Sequence, residues 1–262
     1  MNPLYSVNLI EEKGKHFYTI GDDKTWLPGV TGVLDNASKP ALVPWAAKVV
    51  AEYMREILGR MSHTERWLNG RYVGFEPDFL DLFVKRAKKQ PRFIKESAAR
   101  TGTKAHGVFD ALLKGTPPAD TSPNLLKSFD LWRWREPLKF VQGDTKVASK
   151  TFGYGGSVDG FLQDKNGKIV IVDFKTSKGI WPEYAYQVGG GYAQATKETY
   201  GLDYLPKGII VRFEKEKVGF ERREINFPET CWKGFKALLD FSKIQALDHF
   251  QNRILVRPIK ND

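Results

Sequence analysis

Apolar positions along the chain change their spacing twice, and each change marks a change of element. Tyr5 to Ile10 and His16 to Ile20 predict two strands around a turn at Glu12-Lys13-Gly14-Lys15, ahead of the Pro28-Gly29 break. From Leu42 to Met61 the spacing becomes three and four, with Val43, Ala46, Ala47, Val50, Ala51, Met54 and Leu58 on one helical face. The helical spacing continues through Asp78 to Lys89 and Ile94 to Leu113, with Pro77 and Pro91 as expected boundaries. A further helix rich in Trp and Phe is expected from Pro123 to Phe140. After Thr145 the pattern turns strand-like over Phe152 to Gln163, Lys168 to Lys175, Gly208 to Phe213 and Phe220 to Phe227. A helix from about Pro182 to Tyr200 interrupts these strands, and a last helix begins near Pro228.

These elements describe an α/β fold, a central mixed sheet flanked by helices, with a helical N-terminal elaboration. No repeat, low-complexity tract or long linker divides the chain, so residues 1–262 read as one domain. Its hairpin and helices occupy 1–140, and the core sheet and last helix 141–262.

Composition narrows the class of partner. Lys and Arg number 41 against 31 Asp and Glu, a formal charge of +10, so the mean field attracts polyanions. The single cysteine, Cys231, excludes an internal disulfide framework and a four-cysteine zinc or iron-sulfur site, and the context reads as reducing and cytosolic. No stretch approaches the roughly 18 apolar residues of a membrane span, and the first residues lack a signal-peptide pattern. No membrane association is expected.

The candidate chemistry lies between Gly156 and Ser177. If Lys165-Asn166-Gly167 forms a three-residue loop with Gly167 left-handed, Asp164 pairs with Lys168, and Asp159 comes to face Asp173 as Ser157 faces Lys175. Asp159, Asp173 and Lys175 then share one face of the sheet. A two-residue Asn166-Gly167 turn would shift the register by one and send Asp173 to the other face. The hairpin is apolar on both sides, with Val170, Val172 and Phe174 on one and Ile169, Ile171 and Phe161 on the other. Two carboxylates at the end of such strands repel one another, and a divalent cation relieves that repulsion while supplying a Lewis acid. Upstream, Gly102, His106 and Asp110 recur every four residues and so share a helical face.

Asp159 followed by Asp173-x-Lys175 at the end of the next strand resembles the signature of the PD-(D/E)XK nuclease superfamily, with Val158 where the name has proline. Gly102-Thr-Lys-Ala-His106 with Asp110 is similar to the glycine and metal-binding histidine motif of its RecB-like and mitochondrial genome maintenance exonuclease branch. Val30-Thr31-Gly-Val-Leu34, Phe174-Lys175-Thr176-Ser177-Lys178, and Gln187 ahead of Tyr192 resemble further motifs in the same order. The likeness spans roughly residues 28–213. One departure stands out: Gln187 and Tyr192 are five apart where the family pattern has four, with Gly189-Gly190-Gly191 between them. Five residues turn an α-helix through about 140° from one face, so sharing a face requires a bulge or break.

The resemblance implies a restriction-endonuclease-like core and a metal-dependent DNA exonuclease, with a preference for single strands or free ends. Asp159, Asp173, the Phe174 carbonyl and His106 would hold one or two Mg²⁺ or Mn²⁺ ions, without an iron-sulfur cluster. Lys175 would orient the attacking water or stabilise the phosphate oxygens. Thr176, Ser177, Lys178, Trp181, Gln187 and Tyr192 would contact DNA, with Gly102 and Asp110 behind the metal ligands. The same resemblance implies a phage-encoded relative in its host's cytoplasm, working with replication or recombination proteins. A structure-selective endonuclease, or a DNA-binding recombination accessory without activity, would use the same core. Trp132 and Trp134 within a run of Arg133 and Arg135 suit stacking on unpaired bases, although their spacing of two sends them to different helical faces and at least one into the core.

Overall fold

The computed structural model describes residues 1–37, 42–60, 67–68, 71–72, 77–116, 118 and 121–250. The chain divides into two compact units, one of residues 1–37 with 105–262 and one of residues 38–104. Among the described residues no helix is long and apolar enough to cross a membrane.

The larger unit carries a mixed α/β architecture, as its alternating patterns predict. Strands β1 (Val7–Glu12) and β2 (Lys15–Ile20) pair around Lys13-Gly14, and β3 (Leu27–Pro28) adds to β2. The main sheet holds β6 (Lys139–Ser149), β7 (Tyr154–Gln163), β8 (Ile169–Lys175), β9 (Lys207–Phe213) and β10 (Phe220–Ile225). Its order is β10-β9-β8-β7-β6, antiparallel throughout except for the parallel β8–β9 pair, which needs the intervening helical crossover. Strand β8 is central and buried from Ile169 to Phe174, which accounts for its nearly unbroken apolar run. One face carries Phe161, Ile169 and Ile171 against the helical segments that follow β8. The other carries Leu162, Val170, Val172 and Phe174 against Phe109, Phe129 and Trp132.

The smaller unit contains helix Leu42–Arg60, the short strands β4 (Trp67–Leu68) and β5 (Arg71–Tyr72), and the first part of helix Pro77–Leu113. Tyr53 stacks on Phe83 with ring centroids 6.1 Å apart. Helix Pro77–Leu113 passes through Pro91, where a boundary was expected. Proline removes the hydrogen bond to the carbonyl four residues back, and here the helix continues despite that loss.

Two further expectations are corrected around residue 140. The helix expected to reach Phe140 ends at Arg135, and Lys139–Ser149 forms β6, a strand the pattern did not reveal. Trp132 is fully buried, its Nε1 donating to Glu136 Oε2 at 3.1 Å, while Trp134 on the opposite face is 81% exposed.

The segment after β8 also departs from a simple helix. Glu183–Ala185 is α, Tyr186–Tyr192 is a π-helix, and Ala193–Tyr200 is α again. Helix Pro228–Phe250 packs against the π segment so closely that a Cβ on Gly190 would lie 2.6 Å from the Cys231 carbonyl oxygen. Glycine is what permits that approach.

Candidate active site

The hairpin between β7 and β8 turns as the three-residue loop requires. Gly167 has φ +78°, the Asp164 amide donates to the Lys168 carbonyl at 3.0 Å, and the pairs run from Gln163↔Ile169 to Gly160↔Val172. Extended by one step, this register sets Asp159 opposite Asp173, but the ladder stops at Gly160. In place of a backbone acceptor, Asp159 offers its side chain, and Oδ2 accepts from the Phe174 amide at 2.7 Å.

Strand β7 changes face at this point. Val158 and Phe161, three apart, are buried in one cluster, whereas a regular strand would send them to opposite sides. Opposite the change, the β6–β7 pairing passes from Gly143↔Gly160 to Thr145↔Val158, and the intervening Asp144 has φ +23°. The irregularity coincides with the end of the β7–β8 ladder at Gly160.

His106, in the part of its helix that belongs to the larger unit, places Nδ1 2.9 Å from Asp159 Oδ1. Asp173, only 2% exposed in an apolar strand, has Oδ2 2.6 Å from Lys175 Nζ. Among the described residues Oδ2 has no partner besides that ammonium. Lys175 Nζ also lies 4.9 Å from the centroid of the Tyr184 ring. Tyr184 has no motif or spacing that would single it out, and only the fold brings it to the lysine.

The charges in this cluster shape one another. Burial pushes the Asp173 carboxyl up, the like charge of Asp159 adds to that, and Lys175 opposes both. Burial presses the Lys175 ammonium down, yet the charges of Asp173 and Asp159 outweigh it and hold the ammonium above the usual lysine range. For His106 burial again acts downward, and the hydrogen bond and charge of Asp159 carry the net displacement upward.

Gln187 and Tyr192 share a face because the π-helix turns five residues through about the angle an α-helix gives to fewer. Gln187 Nε2 donates to Tyr192 Oη at 2.8 Å, and both side chains are buried. Gln187 is 6% and Tyr192 5% exposed. Burial, then the charges of Asp173 and Asp159, push the Tyr192 phenol well up, so it stays neutral.

The remaining expected residues are spread around this centre. Ser177 Oγ donates to the Gly179 carbonyl at 2.8 Å, closing a local turn, and Thr176 is half-buried beside it. Lys178 and Trp181 are exposed, as contact with a large ligand requires. Asp110 Oδ2 pairs with Lys114 Nζ at 2.6 Å rather than with His106. Among the described residues a Cβ at Gly102 would meet nothing within 4 Å, so no close neighbour demands that glycine.

The donors present fit a hard divalent cation in kind: two carboxylates, one imidazole and the Phe174 carbonyl, with Asp173 Oδ2 partnered among the described residues by Lys175 alone. The fit is not preformed. Among the described residues no three His, Cys, Asp or Glu side chains already converge as ligands, because Asp159 is spent on His106 and on the Phe174 amide.

No protein-family profile and no curated protein sequence matches the chain. Solved structures give loose likenesses. An alkaline exonuclease, LHK-Exo from Laribacter hongkongensis, is 12% identical with a TM-score of 0.36, over 86% of this chain and 93% of that one. The same enzyme in complex with dAMP is 13% identical with a TM-score of 0.29, over 79% and 96%. The protein SSO0001 is 16% identical with a TM-score of 0.31, over 81% and 88%. At these values the likeness carries no functional argument.

Proposed function

We propose that the chain is a divalent-metal-dependent deoxyribonuclease of the PD-(D/E)XK kind, an exonuclease acting on single-stranded DNA or free ends. The observation that carries the reading is the convergence of Asp159, Asp173, Lys175 and His106 where β7 parts from β8. The order of motifs, His106 ahead of Asp159 ahead of Asp173-x-Lys175, supports the RecB-like branch.

In this reading Asp159, Asp173, the Phe174 carbonyl and His106 hold Mg²⁺ or Mn²⁺. The bound ion supplies Lewis acidity and a water more readily deprotonated. In the metal-free protein the charges of Asp173 and Asp159 hold Lys175 as an ammonium, a form that donates hydrogen bonds. Lys175 orients the water or stabilises the phosphoryl oxygens as charge builds on them. The water oxygen bonds to phosphorus as the water gives up a proton to solvent, the phosphorus–oxygen ester bond breaks, and the leaving alkoxide takes up a proton from solvent. Lys178 and Trp181 are the exposed groups beside the site that suit a strand, one for phosphate and one for a base.

The test is digestion of end-labelled single-stranded, duplex and branched DNA with Mg²⁺, Mn²⁺ or chelator, using wild type and Asp173→Ala together. Short end products from single strands, lost with chelator and in the variant, are expected. Turnover that survives exhaustive chelation or Asp173→Ala would remove this site from consideration.

A further inference from the structure

The smaller unit carries a concentration of charge that the site does not use. From Val84 to Lys95 helix Pro77–Leu113 contains Lys85, Arg86, Lys88, Lys89, Arg92 and Lys95 and no acidic residue. Six positive charges in this short segment compare with a formal net charge of +10 for the whole chain.

The helix arranges them. At about 100° per residue, Lys85, Lys88, Lys89, Arg92 and Lys95 fall within an arc of about 120°. All five are exposed, and Phe83 and Ala87 on the far side are buried. Asp81 and Glu96 close the stripe at its two ends on the same face, and Arg92 pairs with Glu96 at 2.7 Å; among the described residues no other ion pair of the stripe is seen. Phe93, 60% exposed, borders it.

Such a face works against its own helix. Lys85 with Lys89, and Lys88 with Arg92, are like charges at i,i+4, and Lys85–Lys88, Lys89–Arg92 and Arg92–Lys95 are like charges at i,i+3, each unfavourable. A solvated helix surface relieves this by interspersing both signs, whereas a block of one sign marks a partner of the other. A polyanion laid along the stripe screens all five repulsions at once and releases its own counterions.

We propose that this face of helix Pro77–Leu113 is a strand-binding surface that takes the phosphate backbone of single-stranded DNA, with Phe93 offering a stacking face to an unpaired base. The nuclease reading enters only in naming the polyanion as DNA.

The test is fluorescence anisotropy of a short labelled single strand, in chelator and across a series of salt concentrations. Wild type is compared with the combined variant Lys85→Gln, Lys88→Gln, Lys89→Gln, Arg92→Gln, and with a control, Lys13→Gln, Lys15→Gln, Lys215→Gln, Lys217→Gln, at exposed positions in or beside two loops. Glutamine keeps helix propensity close to that of lysine and arginine. The slope of log affinity against log salt should fall by about 0.7 for each phosphate that is no longer neutralised, so by up to about 3 in the stripe variant, and far less in the control. The stripe variant should melt no lower than wild type, since its like-charge repulsions are gone. Equal slopes in both variants, or no binding of the strand by wild type, overturns the proposal. A Phe93→Ser variant should lose affinity for the strand but not for polyglutamate of equal charge; parallel losses would overturn DNA as the occupant. Should the stripe variant fail to fold, acetylation footprinting of wild type decides: the strand must protect Lys85, Lys88 and Lys89 more than Lys13 and Lys15. All these measurements are made without metal. Failure of the nuclease reading would appear in turnover, and failure of this surface in binding.

Discussion

Lys175 stands between a carboxylate and a ring, Nζ 2.6 Å from Asp173 Oδ2 and 4.9 Å from the centre of Tyr184. The aromatic face restricts where an ammonium on a flexible stem can point, and a shielded cation–π contact is worth about 0.5–2 kcal/mol. Tyr184→Leu should lower kcat about two- to thirtyfold with KM little changed, and Tyr184→Phe should keep most of the rate. Steady-state kinetics on a labelled strand check this, and a leucine variant as fast as wild type would sever Tyr184 from the reaction.

The buried pair predicts a cost that depends on pH. Lys175→Met leaves Asp173 in an apolar strand without its counter-charge, and losing one member of a buried pair costs about 3–5 kcal/mol. Asp173 has a folded-state pKa raised above its unfolded value, so stability falls as pH rises from the unfolded carboxylate range through the folded value. Without Lys175 that folded value moves higher still. Urea melts should show the Lys175→Met penalty growing from pH 4 to pH 7, while the penalty of Asp173→Asn, which leaves Lys175 only Asp159 as counter-charge but no buried carboxylate to ionise, should not grow over that range. A penalty independent of pH would contradict the assignment.

His106 titrates in the opposite sense to a metal ligand's need. In metal-free protein its raised folded-state pKa adds stability that is fully present below the unfolded histidine value and lost as pH rises through the folded one. The Tm difference between wild type and His106→Ala should therefore be largest in acid and shrink above neutrality. Binding a cation requires the neutral ring, so the wild-type rate should fall as pH drops through the raised value, and higher Mn²⁺ should restore part of the rate of His106→Ala. Parallel Mn²⁺ curves for the two proteins would confine the ligands to Asp159, Asp173 and the Phe174 carbonyl.

Gly190→Ala should destabilise the larger unit by about 1–3 kcal/mol, because the added methyl meets backbone at 2.6 Å and the two helices must move apart. Thermal unfolding measures this directly. An unchanged Tm would mean that the packing between the π segment and helix Pro228–Phe250 is loose.

The hairpin that carries Asp159 and Asp173 was legible because its register depends on a local event, the left-handed turn at Gly167, that sequence encodes within three residues. The five-residue spacing of Gln187 and Tyr192 likewise announced the need for a bulge, and the three glycines supply its setting. Strand β6 carries Gly143-Asp144, two residue types that strands disfavour, within the ladder where β7 changes face. Burial of Tyr192 depends on strand β7, where a Cβ on Gly156 would lie 2.6 Å from its ring, and no pattern local to Tyr192 reports that. Tyr184 belongs to the same class: its partner is nine residues earlier in number and reaches it only after the crossover folds back over β8.

The bond from the Phe174 amide to Asp159 Oδ2 ties a main-chain proton to the charge of one carboxylate. Whatever neutralises or engages that oxygen must weaken the acceptor and shift the resonance and exchange rate of this single amide. An ¹⁵N-labelled sample therefore carries its own indicator of site occupancy, readable in a titration with Mg²⁺ and no DNA at all.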